Sequence, residues 1–198
     1  MSNLTSLKYI VFNSLIGEIA IVWNNKDKLL KQIILPDVNT GKFNYGKIDY
    51  HGVLSETDPD DYIMEIMSDV KEIIMGKDIH FDYSHLDFSI LTDFQRIVLL
   101  KQKDIPHGRV TSYKKLAELI DKPKSARPVA NVLSSNPFPI VIPCHRTVRS
   151  DWTIGGYVGM NDGLYKRLIL ENEGVQFEKD VVQKKYRFPS EDLSIPSL

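Results

Sequence analysis

The stretch that most restricts how this chain can fold is Asn136–Pro137–Phe138–Pro139–Ile140–Val141–Ile142–Pro143–Cys144–His145–Arg146. Each proline fixes φ and removes a backbone donor, so the run is neither a helix nor a central strand. It is also apolar, which predicts a rigid, extended passage through the interior that delivers the chain at Cys144. Holding one sulfur in place is a purpose that fits such a passage. Cys144 is the only cysteine of 198 residues. An internal disulfide is therefore excluded, and with only five scattered histidines so is a thiolate-rich zinc site. No metal and no cofactor are expected. Cysteine reacts as its thiolate, and His145, Arg146 and Arg149 place positive charge nearby, which predicts a lowered thiol pKa. The competing reading is a lone cysteine packed as a small hydrophobe. Adjacent Cys and His side chains point apart on a strand, so a proton relay here needs a turn, a helix start or a bridging water.

With 42% hydrophobic and 26% charged residues, the chain has material for one good core or two modest ones. Apolar runs such as Ile140–Val141–Ile142 fall far short of the roughly 20 residues of a membrane helix. Residues 1–7 carry no basic segment followed by an apolar one, so neither secretion nor membrane contact is expected. A cytoplasmic location follows, or a nuclear one in a eukaryote. The formal net charge of −1 hides an asymmetry: between residues 92 and 150, eleven basic side chains stand against four acidic ones. A polyanion would dock in that window, unless its lysines simply solvate surface helices.

Residues 8–12, 18–23 and 29–35 read as strands of a small antiparallel sheet, with Ile19, Ile21 and Trp23 alternating and turn residues between the strands. A helix follows, capped by Asp58, with Pro59 first, Asp60 and Asp61 at its positive end and Gly76 as its stop. Its stripe of Ile63, Ile66, Met67, Val70, Ile73 and Ile74 faces a core. Residues 81–90 read as a linker, and a domain boundary is placed near residue 91. A second helix opens at Thr92, with Gln95 at capping-box spacing, and ends near His107–Gly108.

Two short helices come next, one carrying Tyr113, Leu116, Ala117 and Ile120, the other Val129, Val132 and Leu133, joined by a turn over residues 121–125. In the most basic part of the chain this pattern suggests a helix-turn-helix. Ala126, Ala130 and Ser134 fall at i, i+4 and i+8, a stripe almost without side-chain bulk, flanked by Arg127 and Asn131. So slim a face suits either a minor groove of about 6 Å or tight helix packing inside the protein. The last helix, over residues 162–173, ends by placing Glu171 and Glu173 before Gly174, where the dipole disfavours negative charge. A broken local rule marks a candidate functional residue, so Glu173 is read either as the group that orients a histidine or as a solvated surface glutamate.

Ile142–Pro143–Cys144–His145–Arg146, preceded by Asn136–Pro137 and followed by Gly155–Gly156–Tyr157 and Glu173–Gly174, resembles the signature of the O6-alkylguanine-DNA alkyltransferases, also called methylated-DNA–protein-cysteine methyltransferases. Phe94–Gln95, Ile105–Pro106–His107–Gly108–Arg109–Val110, Ser112–Tyr113 and Ala126–Arg127 extend the likeness over residues 92–174. The resemblance implies an α+β fold: a small N-terminal antiparallel sheet with a helix in an RNase H-like layout, then a helical domain containing the helix-turn-helix. The expected divisions are an N-terminal domain over 1–91, a catalytic DNA-binding domain over 92–178 and a tail over 179–198. It implies DNA repair by stoichiometric transfer of an alkyl group from O6-alkylguanine in duplex DNA to Cys144. The base is flipped through the minor groove, and the protein, acting as a monomer, is spent after one reaction.

By the same resemblance, His145 would take the thiol proton through a water while Glu173 holds the histidine. Asn136 would brace the active-site turn, and Tyr113 would sit by the phosphate and protonate the leaving guanine. Arg127 would fill the gap left by the flipped base, on a surface shared by Tyr113, Ala126, Ala130, Asn131 and Ser134. Tyr157, Ser150, Val148, Gly159 and Trp152 would line the pocket. Pro128, Ala130, the Asp151–Trp152 turn and the longer stretch over 158–164 depart from the family pattern, and the zinc site of some relatives has no cysteines here. A helix-turn-helix module that recognises damaged DNA without transfer and a cysteine hydrolase are the alternatives. Neither accounts for both the thiol and the basic helix pair.

Overall fold

The computed structural model describes residues 7–48, 54–157 and 163–189. Internal contacts group the chain into two compact units. One runs to Thr92 and includes Pro137–Val141; the other comprises Asp93–Asn136 and the chain from Ile142 onward.

In the first unit, β1 (Leu7–Ser14), β2 (Gly17–Asn24) and β3 (Leu30–Ile34) form the expected antiparallel meander. Gly17 closes the first hairpin at φ 115°, and a Cβ there would lie 2.4 Å from the Gly41 carbonyl oxygen, so only glycine fits. A fourth strand, β4 (Leu54–Glu56), joins alongside β1 in parallel, giving the order β3-β2-β1-β4. Residues 19–23 are all buried because β2 is interior to the sheet. Ala20 and Val22 pack with Leu7, Tyr9 and Ile34 under Phe43 and Ile48. The alternation that marked only Ile19, Ile21 and Trp23 as inward misses that second covered face.

Helix α1 (Asp61–Ile74) buries Ile63, Ile66, Val70, Ile73 and Ile74. Its cap is Asp60 rather than Asp58: the Asp60 carboxylate accepts the Ile63 amide at 3.1 Å and also holds the Lys28 ammonium at 2.9 Å. That contact between residues 32 positions apart fixes the extended backbone at Asp60, and local pattern gives no access to it. The linker over 81–90 folds into two single 3-10 turns, Tyr83–His85 and Phe88–Ile90, capped by Asp82 and Asp87. Within this unit Ile33 donates its amide to Pro137 at 2.8 Å, and Phe138 meets Phe88 edge to face. Residues 137–141 of the proline run are therefore packed here although they are distant in sequence.

In the second unit, α2 (Asp93–Lys103) stops well before Gly108, since Pro106 disfavours helical backbone at Ile105. Strand β5 (Thr111–Ser112) leads into α3 (Tyr113–Leu119), whose first turn is capped by the Ser112 hydroxyl accepting the Lys115 amide at 3.2 Å. After a turn with Asp121 at φ 57°, α4 (Ala126–Ser134) buries Val129, Val132 and Leu133. The helices α2, α3 and α4 pack together. Strand β6 (Thr147–Val148) runs parallel to β5. Helix α5 (Leu164–Asn172) starts at Gly163, whose φ of 63° favours glycine and where a Cβ would lie 2.3 Å from the Gly155 carbonyl oxygen. After α5 comes the hairpin of β7 (Phe177–Glu178) and β8 (Val181–Val182). The tail expected from residue 179 is thus folded at its start. Val182 is fully buried, and the Val110 backbone exchanges bonds of 2.8 and 2.7 Å with Tyr186 and Phe188. Residues 190–198 lie outside the described chain.

The cap assignment separates two neighbouring aspartates. Asp60→Ala is expected to lower unfolding free energy by about 1 kcal/mol in denaturant titration and Asp58→Ala by only a few tenths. Equal losses would contradict it.

Candidate active site

Cys144–Arg146 forms a single 3-10 turn directly after Pro143. The turn supplies the local curvature that a strand would deny to adjacent Cys and His. It is closed by Cys144 donating its amide to Ile142 at 2.7 Å and Arg146 donating to Pro143 at 2.9 Å. Gln102 of α2, fully buried, clamps both ends: its amide donates to the Pro143 carbonyl at 2.8 Å, and its oxygen accepts the Thr147 hydroxyl at 2.5 Å. On the entering side, the Asn136 side-chain amide reaches the Ile142 carbonyl at 3.1 Å and Cys144 Sγ at 3.3 Å.

The carboxylate of Glu173 organises the other side. It ends α5, is 6% exposed, and faces the His145 Nε2 at 2.8 Å. Arg146 donates Nε and Nη2 to it at 2.9–3.0 Å, and the Gly108 amide donates at 3.2 Å. Gly108 sits at φ 65°, and a Cβ there would crowd the Glu173 carbonyl at 3.2 Å, which ties the residue 106–109 turn to this corner. Burial pushes the Glu173 carboxyl up, but His145 and Arg146 override it and hold the group at about 2. Glu173 is therefore no solvated surface glutamate. The helix end that disfavours a carboxylate is offset by charge-assisted donors.

An ionised Glu173 accepts from His145, so Nε2 carries the proton and Nδ1 is the bare ring nitrogen. Burial, outweighing the attraction of Glu173, keeps the imidazole pKa below its usual value. Nδ1 is buried and has no hydrogen-bond partner among the described residues. His145 and Tyr157 meet edge to face at 6.3 Å.

The thiol runs against expectation. Cys144 is 3% exposed, and burial pushes its pKa up; Asn136, Lys166 and Tyr157 favour the thiolate without overcoming burial. Arg146 spends its charge on Glu173, and the cation that acts on the sulfur is Lys166. This lysine is 1% exposed, faces the Tyr113 ring at 5.6 Å, and makes a 3.4 Å contact to the Gly156 carbonyl. Burial lowers it to about 8, opposed by the Cys144 charge. Tyr113, the first residue of α3, is raised to about 12 by burial and by Cys144, so its phenol stays protonated.

One compact neighbourhood thus joins Cys144, His145, Glu173, Asn136, Tyr113 and Tyr157. Ser150 is exposed in the turn after β6. Two expected pocket residues pack into a core cluster. Val148 packs with Val110, Leu170, Val175 and Val182, because β6 pairing with β5 turns it into the core. Trp152 packs on the same cluster and beneath Arg187, 4.7 Å from its ring centroid. Gly159 lies outside the described residues. On α4, Arg127, Asn131 and Ser134 are exposed and Ala126 and Ala130 half-buried, all away from the Val129–Val132–Leu133 side. Lys166 and Gln102 escaped sequence reasoning. Their signal was available: each is a polar residue on an apolar stripe, Lys166 beside Tyr165, Ile169 and Leu170, Gln102 following Val98 and Leu99. Among the described residues no group of His, Cys, Asp and Glu is arranged to hold a metal ion.

Residues 93–175 match the family model described as 6-O-methylguanine DNA methyltransferase, DNA binding domain. The methylated-DNA–protein-cysteine methyltransferase of Methanothermobacter thermautotrophicus is 41% identical over 124 residues, 63% of this chain and 68% of that protein. The chain belongs to the methylated-DNA–protein-cysteine methyltransferase family. These are DNA-repair enzymes, and the likeness extends to the rat member of the family, 46% identical over 41% of this chain and 39% of that protein. The crystal structure of Mycobacterium tuberculosis OGT in complex with DNA matches with a TM-score of 0.67 at 26% identity, covering 84% of this chain and 92% of that one. The mixed fold of a small sheet and helices is that of these methyltransferases.

The Glu173 network makes an acid-stability prediction. A carboxyl held at about 2 against an ordinary 4.5 stabilises the fold at pH values above the higher one. That contribution is lost as pH falls through the lower one. Glu173→Gln should be markedly less stable than wild type at pH 7, and the gap measured by denaturant unfolding should narrow from pH 4.5 towards 2. A gap that does not change with pH would contradict the network.

Proposed function

We propose that this protein repairs duplex DNA by moving an alkyl group, methyl above all, from guanine O6 to its own Cys144. The observation that carries the reading is the buried turn on which Cys144 meets the Asn136 amide and is followed by His145, itself held by Glu173. The Sγ–H proton passes through one water to His145 Nδ1. Sulfur then attacks the alkyl carbon, forming the S–C bond as the C–O6 bond breaks, and its electron pair leaves on guanine. The Tyr113 phenol protonates the departing base and recovers the proton held by His145. The thiol proton therefore ends on guanine and the alkyl group on sulfur. A thioether has no route back, so each molecule reacts once.

A thiol buried this deeply meets O6 only if the nucleotide leaves the stack, which costs a few kcal/mol and less for a damaged pair. The pair α3 and α4, read as a helix-turn-helix, is the docking element, approaching the minor groove with the slim Ala126–Ala130–Ser134 face. Asn131 flanks that face and Arg127 enters the stack where the base was. The exposure of Arg127, Asn131 and Ser134 supports this reading, as does the excess of basic side chains between residues 92 and 150. Burial of the resting thiol as its neutral form fits a reagent that must survive unreacted until a substrate arrives. Lys166 stabilises the thiolate as the proton leaves.

The test is peptide mass spectrometry after mixing the protein with a duplex carrying one O6-methylguanine. One added methylene mass on the Cys144 peptide, one equivalent per protein and guanine restored, is the expected result. Cys144→Ala should keep affinity for the duplex and lose all transfer, and Arg127→Ala should slow transfer. Tight binding with no mass gain in the wild type would replace transfer with damage recognition.

A further inference from the structure

The described chain beyond α5 does more than end the domain. Strand β8 runs behind the turn that precedes Tyr157: Val182 donates its amide to the Trp152 carbonyl at 3.0 Å, and Thr153 bridges Val181. A few residues later Arg187 lies over the Trp152 ring at 4.7 Å, while its Nε and Nη2 both donate to the Val182 carbonyl at 3.1 and 2.9 Å. The same segment grips the chain entering α3, through Val110 bonded to Tyr186 and Phe188. One short stretch therefore fastens both the approach to Tyr113 and the approach to Gly156 and Tyr157.

Trp152 has particular need of such a hold. It sits at φ 67°, a left-handed conformation that a bulky residue adopts only where its surroundings over-determine it. Its amide donates to Arg149 at 2.9 Å and Arg149 donates to Thr153 at 3.0 Å, so the turn is tight. Arg187 supplies the over-determination, its planar fork pinned on one carbonyl and its face on the indole. Beyond the turn, the chain offers Gly156 to the Lys166 ammonium and Tyr157 to His145.

We infer that residues 181–188 form a strap, locked by Arg187 on Trp152, that positions the Gly156–Tyr157 side of the site for transfer. Arg187 and Trp152 are positioning residues that touch neither the sulfur nor the base. The inference rests on the transfer reading given above. It also gives the Asp151–Trp152 departure from the family pattern a purpose in this chain, as the attachment point for its own C-terminal segment.

The experiment is single-turnover methyl transfer from an O6-methylguanine duplex, followed by mass spectrometry, with duplex affinity and folded fraction measured alongside. Arg187→Ala should slow the transfer rate constant about tenfold, the scale expected when a reacting group is slightly misplaced, with duplex affinity and folded fraction unchanged. Trp152→Ala should slow it similarly and the double variant no further, whereas Trp152→Phe, keeping an aromatic face for the guanidinium, should recover most of the rate. Wild-type rates in both alanine variants would overturn the strap, as would losses that track folded fraction or duplex affinity alone. Absence of transfer in the wild type would instead overturn the transfer reading itself.

Discussion

A buried carboxylate organises the candidate site of this protein. Glu173 stands at a helix C-terminus, where the dipole disfavours its charge, and almost out of water, where desolvation disfavours it again. It stays ionised because His145, Arg146 and the Gly108 amide converge on it. Several consequences follow from that one ionisation. Arg146 is committed to an ion pair with the carboxylate. His145 is fixed as the tautomer with its proton on Nε2, so the bare nitrogen is the one available for a proton from elsewhere. The turn carrying Cys144 is tied to α5 through its two following residues, while Gln102 ties its flanks to α2. The sulfur is thereby located by contacts to several elements of one unit.

The thiol itself is guarded rather than activated in the resting state. A basic sequence neighbourhood suggests a lowered pKa, but charge acts through space, and the nearest guanidinium in sequence is spent on Glu173. The cation that reaches the sulfur comes from α5 as Lys166, buried at a cost that its lowered pKa records. A thiol that titrates high and a lysine that titrates low form a pair in which a proton leaving sulfur makes both groups more comfortable. In the proposed transfer, deprotonation and attack are then coupled events, and an idle thiolate is avoided.

Much of this was legible in the sequence because the strongest constraints were local. Prolines fixed the approach to Cys144, the apolar spacings marked α3 and α4, and the misplaced charge at the end of α5 singled out Glu173. Periodicity says which residues face inward and not what they face, which is why Lys166 and Gln102 passed unnoticed on their apolar stripes. Contacts between distant segments account for the other differences. Lys28 moves the α1 cap to Asp60, β4 adds a parallel edge to the sheet, and Arg187 holds Trp152 against the C-terminal hairpin. Each needs the fold before it can be seen.

The state of the His145 ring tests the central claim most directly. Nitrogen-15 spectra of the imidazole at pH 7 should show a neutral ring protonated at Nε2 with Nδ1 bare, and Glu173→Gln should alter that pattern. A ring protonated at Nδ1, or a cationic ring, in the wild type would contradict the account, because the nitrogen assigned to receive the thiol proton would already carry one.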